Sequence, residues 1–240
     1  MLRMPSLAVT SAAAAIALAA GSFDARAETP AAAEAHAVVV KAEAALQGFR
    51  SDPQHGSLVA AMRQGHAVLI VPEYVRAGLG IGGAAGTGVL LRKEGTAGRW
   101  SAPAFFDLRS ATLGLQIGYQ KVDLVVVIAN AATLDAMLKG DFSLSADAGY
   151  QAGTTSAGAD ASTTTSFGDT GMLAFSRGEG AYAGATIGGA QLNANEDLNQ
   201  GYYGAGATPS RILVSPGLNN ADADRLRGSL STFAGSAARQ

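Results

Sequence analysis

The spacing of apolar residues predicts helices at both ends of the chain. Apolar positions recur every three to four residues through the alanine-rich segment 30–48 and more briefly through 55–63. The same period returns in segment 221–233 near the C-terminus. This period places apolar side chains on one face of a helix, where they can pack against a core. Two shorter helices are predicted for NAATLDAML, which begins at Asn130, and for NANEDLNQGYYG, which begins at Asn193.

The middle of the chain changes to short runs of β-branched and aromatic residues. The first run, residues 68–71, ends at Pro72, and DFSLSADAGY alternates apolar and polar residues as a half-exposed strand does. Short runs separated by turn residues are typical of an antiparallel meander. The other runs are GVLLRK, WSAPAFFDL, ATLGLQIGY, VDLVVVIAN, MLAFSR and AYAGATIGGAQL. The pattern predicts an α+β fold, with a curved antiparallel sheet or small barrel-like β core and flanking N- and C-terminal helices.

Glycine is abundant, at 31 of 240 residues, and its densest stretch resembles a dinucleotide-binding loop. Residues 78–83 read G-x-G-x-x-G, but a strand and a polar turn follow where that site requires a helix. We therefore interpret these glycines as structural, because glycine in strands permits bulges and close backbone approach. A second set has the same interpretation and consists of Gly180, Gly184, Gly188 and Gly189.

Charge and the N-terminal segment limit the function further. The net charge is -2 at pH 7, so the chain lacks the overall basic field typical of nucleic-acid-binding proteins. Arg3, an alanine-rich apolar run and the A-x-A sequence at Ala25–Ala27 together predict a signal peptide over residues 1–27. We expect a periplasmic or secreted protein with one domain over residues 28–240. It contains no cysteine, so disulfides cannot contribute to its stability.

Four segments, in order along the chain, resemble the SYLF domain family. They are AGLGIGGAAGTGVLLRKEGTAGRWSAPAFFDL, LGLQIGYQKVDLVVVIAN, LAFSRGEGAYAGATIGGAQL and NQGYYG followed by ILVSP. The resemblance extends over residues 68–230. It implies an α+β domain that binds phospholipid head groups, with actin binding in some eukaryotic members. For an exported chain, it implies association with anionic lipid at a membrane surface.

One turn carries the residue types that such a surface would attract. Arg92, Lys93, Arg99 and Trp100 bracket this turn, and we call them the hairpin cluster. Cations are attracted to anionic head groups, and tryptophan favours the interfacial region. Arg76 and Lys121 are candidates for the same lipid-binding patch. The alternative is that Trp100 belongs to the core and the cations are solvated.

The pattern predicts no catalytic centre, metal site or cofactor. His36, His55 and His66 lack metal-binding spacing, and Ser176 lacks the nucleophile-elbow sequence. Asp107 and Asp123 could pair as an acid and a base, and Asp141 and Asp147 resemble part of a calcium loop. We therefore expect a non-catalytic lipid-binding domain. The alternatives are an envelope scaffolding or protein-interaction module and, less favoured, a hydrolase with a dispersed site.

Overall fold

The computed structural model describes residues 29–95, 98–139, 142–143, 150–152, 171–179, 190–215, 218 and 220–235. The expected signal peptide, the proposed calcium-like Asp141 and Asp147, and the second glycine set lie outside the described residues.

The predicted helices form, and polar side chains cap several of their N-termini. The N–H of Ala32 donates to Thr29 Oγ1 at 3.2 Å, and that of Thr133 donates to Asn130 Oδ1 at 2.8 Å. Such caps satisfy N–H groups that have no partner within the helix. The α-helices are α1 (Pro30–Gly48), α2 (His55–Gln64), α3 (Ala131–Leu138), α4 (Glu196–Tyr203), α5 (Pro209–Val214) and α6 (Ala221–Gly235), with a 3-10 turn at Phe49–Ser51.

Seven described strands form one sheet in which two long strands dominate. The strands are β1 (Ala67–Glu94), β2 (Arg99–Trp100), β3 (Ala104–Ile128), β4 (Phe142–Ser143), β5 (Tyr150–Ala152), β6 (Met172–Glu179) and β7 (Ala190–Ala194). Their order is β2–β1–β3–β6–β5, and β7 pairs with both β3 and β4. All pairs are antiparallel except β5 with β6.

The prediction that the first strand ends at Pro72 is wrong. β1 continues through Pro72, and its register against β3 shifts between Val71 and Tyr74. Proline lacks a backbone N–H, and a bulge is a place in a strand where no ladder donor is needed. The run at 68–71 and GVLLRK therefore belong to one long strand, β1, and ATLGLQIGY and VDLVVVIAN belong to another, β3.

Glycine allows β1 to curl tightly over itself. A Cβ at Gly88 would lie 2.8 Å from Cγ2 and 2.9 Å from Cα of Val71, and it would overlap the carbonyl oxygen of Ile70. Near this contact, the N–H of Lys93 donates to the carbonyl of His66 at 2.8 Å. The sheet is strongly curved but open, which confirms the predicted α+β class and the structural role of the glycine stretch.

Alternating residues of the long strands pack in two hydrophobic cores, one on each face of the sheet. Val68 and Ile70 pack on one face with α1, α2 and α6. Leu69 and Val71 pack on the other face with α3 and α5. Burial on both faces explains why these strands read as continuous apolar runs. Within the described residues, no helix is both long and apolar enough to cross a membrane.

Candidate functional site

The bulge in β1 holds an acidic residue in an unusual backbone conformation. Glu73 has φ = 53°, in the left-handed region that favours glycine. Its N–H donates to Asp123 Oδ1 at 3.2 Å. Non-glycine residues held in this region store strain, which clusters at functional sites. The bulge therefore has a backbone feature that is typical of functional sites.

Two lysines from different elements converge on the carboxylate of Glu73. Lys41 Nζ, on α1, donates to Oε2 at 2.6 Å, and Lys121 Nζ, on β3, donates to Oε1. The hydrogen bond from Lys121, followed by that from Lys41, lowers the pKa of Glu73 below its usual value. The same contact with Glu73 raises the pKa of Lys121. Glu73 and Lys121 are therefore both charged at neutral pH.

A third cation completes the cluster from the neighbouring strand. Arg177 Nη1, on β6, lies 3.6 Å from Asp123 Oδ2, and the Arg177 side chain is 43% exposed. Gly48, the last residue of α1, leaves room for it: a Cβ there would lie 2.5 Å from Nη1 and 3.0 Å from Cζ of Arg177. The guanidinium group can therefore lie beside the end of the helix.

These groups surround a cleft of about 370 Å³, within the range of small-ligand sites. We call it the Glu73 cleft; its lining residues are Glu73, Lys121, Val122, Asp123, Arg177 and Gly178. With Lys41 at its edge, three cations meet two carboxylates, a formal surplus of one positive charge. An anionic group is the ligand that this balance favours.

An exposed aromatic side chain extends the same face. Tyr119 is 64% exposed and precedes Lys121 by two residues on β3. Side chains two residues apart on a strand point to the same face, so Tyr119, Lys121 and Asp123 form one row. Tyrosine carries an apolar ring and a polar hydroxyl, which suits the interface between lipid and water.

Two cations of the hairpin cluster are bound to helix ends instead of facing solvent. Arg92 Nε donates to the carbonyl of Leu213, in α5, at 3.1 Å. Lys93 Nζ donates to the carbonyls of Met62 and Arg63, in the last turn of α2, at 3.1 and 2.7 Å. Carbonyls at a helix C-terminus lack partners within the helix and attract cations. Desolvation by burial lowers the pKa of Lys93.

The other predicted site residues are scattered. Trp100 is 3% exposed and packs in the core with α1, α2 and α6, which is the alternative position that the sequence left open. Arg76 is also buried, with its guanidinium carbon 5.6 Å from the centre of the Tyr74 ring. Arg99 is exposed at the turn. Of the six predicted residues, Lys121 alone lines the Glu73 cleft.

The residues considered for catalysis do not form a common site. Asp123 belongs to the cleft, whereas Asp107 accepts hydrogen bonds from Thr87 at 2.8 Å and Asn195 at 3.1 Å. Among the described residues, no group of three or more acidic, histidine or cysteine side chains could hold a metal ion. The three histidines have separate partners: His36 contacts Asp222, His55 packs against Phe233, and His66 contacts the carbonyl of Ala129.

Comparison with known proteins identifies the family. A family profile described as "Ysc84: Las17-binding protein actin regulator" matches residues 109–233, just over half of the chain. The chain belongs to this family, the SYLF family. The matched region of this SYLF chain includes Lys121, Asp123 and Arg177, whereas Lys41 and Glu73 precede it.

Curated relatives of the SYLF chain come from yeasts. Protein YSC84 of Saccharomyces cerevisiae is 27% identical over 70% of this chain and 35% of its own length. An SH3 domain-containing protein of Schizosaccharomyces pombe is 27% identical over 66% of this chain and 37% of its own length. LAS seventeen-binding protein 3 of Saccharomyces cerevisiae is 27% identical over 60% of this chain and 32% of its own length. The SYLF chain thus spans about a third of these relatives. No solved structure matches it.

The sequence did not identify Glu73, Arg177 or Lys41 as site residues. Arg177 had a signal, because it lies in the FSRGEG segment that carries part of the resemblance. Glu73 follows Pro72 within a strand-like run, a position where a bulge could have been expected. Lys41 had no sequence signal, because a single lysine on an amphipathic helix is ordinarily a solvated residue.

Proposed function

We propose that this SYLF chain is a non-catalytic interaction domain that binds anionic phospholipid head groups at a membrane surface through the Glu73 cleft. The observation that carries the proposal is the convergence of Lys41, Lys121 and Arg177, from three elements, on one open cleft with surplus positive charge. Tyr119 lies on the same face and supplies an interfacial side chain.

The charge balance determines what kind of binding is expected. Because two carboxylates offset two of the three cations, the attraction to an anionic surface is weak and local. Exposed charges are screened by salt, and the Debye length falls from about 10 Å at 0.1 M to about 3 Å at 1 M. Binding should therefore require anionic lipid and weaken as salt rises.

The proposed absence of catalysis rests on the residues and on the relatives. The carboxylates of the cleft are held in ion pairs, and Asp107 lies in a different hydrogen-bond network. The family description specifies a Las17-binding protein and actin regulator, and one relative is named a LAS seventeen-binding protein. Both considerations favour an interaction domain over a hydrolase.

Co-sedimentation with vesicles tests the proposal. Wild type should sediment with vesicles containing phosphatidylglycerol and not with neutral phosphatidylcholine vesicles. The Lys121→Gln/Arg177→Gln variant should lose this binding, whereas Lys139→Gln/Arg99→Gln, with the same change in net charge at exposed positions, should retain most of it. Equal loss in both variants would mean that total charge, and not the cleft, determines binding.

We also propose that the protein acts outside the cytoplasm, because residues 1–27 have the pattern of a cleaved leader. The intact mass of the protein recovered from the periplasm or medium should correspond to a chain that begins at Glu28. A mass that includes residues 1–27 would contradict this proposal.

A protein partner is the second candidate function. The family description and the name of one relative both specify binding to another protein, Las17. In an exported chain the corresponding role would be an envelope scaffold or protein-interaction module. Failure of wild type to bind any vesicle, together with specific cross-linking of the cleft face to an envelope protein, would favour it.

A further inference from the structure

We propose that Glu73 is an internal competitor in the cleft: its carboxylate occupies the ammonium groups that a phosphate group would bind, and so it limits the affinity for phosphate. The inference rests on the proposed function for its setting, but it concerns phosphate in either of two sources, a lipid head group or a soluble ion. Glu73 thereby determines how tightly this site can bind phosphate.

The geometry of the carboxylate supports this role. Each of its oxygens accepts a hydrogen bond from one lysine, Oε2 from Lys41 at 2.6 Å and Oε1 from Lys121. An ammonium group bound to a carboxylate offers fewer donors to another anion. A phosphate entering the cleft must therefore share these donors with Glu73 or displace it.

Arg177 is more available to an entering anion than the two lysines are. Its side chain is 43% exposed, and its distance of 3.6 Å to Asp123 exceeds that of a direct hydrogen bond. A guanidinium group can bind phosphate through two parallel N–H donors. The phosphate would thus bind Arg177 first, and Glu73 would oppose its further contact with the lysines.

The backbone keeps Glu73 in this position. Its left-handed conformation, the preceding Pro72 and the hydrogen bond from its N–H to Asp123 at 3.2 Å define the backbone from which the side chain extends into the cleft. The paired lysines lower the pKa of Glu73, so its charge persists at neutral pH. While the carboxylate stays bound to the lysines, it repels a phosphate group beside it.

Glu73 could instead serve only to organise the lysines for the ligand, and the two roles predict opposite effects of neutralising it. Removing a like charge about 5 Å from the phosphate is worth roughly fourfold in affinity even at the dielectric constant of water. Under the competitor role, Glu73→Gln should therefore bind vesicles containing phosphatidylglycerol about fourfold more tightly than wild type, or better. Under the organiser role, binding should weaken.

The matched control is Asp135→Asn, which removes one negative charge from an exposed position on α3. The full chain and both variants would be titrated with phosphatidylglycerol vesicles and, separately, with inorganic phosphate while the Nε–Hε signal of Arg177 is followed by NMR. Tighter binding by Glu73→Gln than by Asp135→Asn supports the proposal. Equal or weaker binding by Glu73→Gln overturns it.

Two further arms keep the result decisive. If Glu73→Gln does not fold, Glu73→Gly replaces it, because glycine favours the left-handed backbone at this position. Wild type could fail to bind any vesicle while inorganic phosphate binds more tightly to Glu73→Gln, or to Glu73→Gly, than to wild type. In that case the proposed membrane function is wrong and the competitor role of Glu73 is supported. If neither vesicles nor phosphate bind to any variant, both proposals are wrong.

Discussion

The hairpin cluster resembles the Glu73 cleft, taken together with its neighbours Lys41 and Tyr119, in its cations and aromatic residue, but the surroundings of the two regions differ. Each combines three cations with one aromatic residue. In the hairpin cluster Arg92 and Lys93 bind helix carbonyls and Trp100 is buried, so Arg99 alone remains exposed among its four residues. At the cleft, Lys121 and Arg177 line an opening, Lys41 reaches Glu73 from its edge, and Tyr119 faces solvent.

The number of cations in a segment therefore does not indicate how many are available to a ligand. Helix C-termini present carbonyl oxygens without intrahelical partners, and nearby cations satisfy them. Cations paired with carboxylates at a cleft remain at the surface, where an incoming anion can compete for them. We expect mutations in the hairpin cluster to affect stability and mutations in the cleft to affect binding.

The two aromatic residues should give the largest contrast. Trp100→Ala should reduce the free energy of unfolding by about 3–5 kcal/mol, because it leaves a cavity in the core. Tyr119→Ala should change it by no more than about 0.5 kcal/mol, because the side chain is largely exposed. Urea denaturation followed by circular dichroism measures both. Similar losses in the two variants would remove the distinction between the clusters.

The lysines provide the second contrast. Lys93→Gln should destabilise the protein by about 1–2 kcal/mol, since it removes charge-assisted hydrogen bonds to the end of α2, and should leave vesicle binding unchanged. Lys121→Gln should weaken vesicle binding severalfold with little change in Tm. A Lys93→Gln variant that folds normally but loses vesicle binding would show that the hairpin cluster, and not the cleft, is the lipid-binding site.

Two glycine substitutions would show whether the position of Arg177 matters. Gly48→Ala places a methyl group against Arg177 and should weaken vesicle binding, while helix propensity keeps stability equal or slightly higher. Gly228→Ala, on α6, meets no atom within 4 Å and should raise stability by up to about 1 kcal/mol without affecting binding. Equal binding by the two variants would argue against a role for the guanidinium group.

The smallest expected effect is on the pH dependence of stability. Because the pKa of Glu73 is lowered on folding, its ion pairs stabilise the protein above the usual carboxyl value of 4.5, and this contribution is lost as pH falls through the folded-state pKa. The Tm difference between wild type and Glu73→Gln should therefore narrow as the pH falls below 4.5. A constant difference would show that Glu73 does not titrate in this way.

The hydrophobic pattern predicted the architecture, because core burial follows residue type and period. The helix 30–48 and the runs VLIV and LVVVI became a helix and strands buried on both faces. The site could not be predicted in the same way. Lys41, Glu73 and Arg177 are far apart in sequence; β-sheet register and the bulge at Pro72 place Glu73 and Arg177, and the packing of α1 on the sheet adds Lys41. Trp100 was ambiguous because indole suits both a core and an interface.

Fluorescence quenching by spin-labelled lipids tests whether the Glu73 cleft, and not the hairpin cluster, faces the membrane. Trp100 is the single tryptophan of the chain, and Trp100→Phe/Tyr119→Trp moves the indole to the row beside the cleft. With phosphatidylglycerol vesicles carrying a shallow spin label, the indole introduced by Tyr119→Trp should be quenched and that of Trp100 in wild type should not. Quenching of Trp100, with no effect on the introduced indole, would contradict the account.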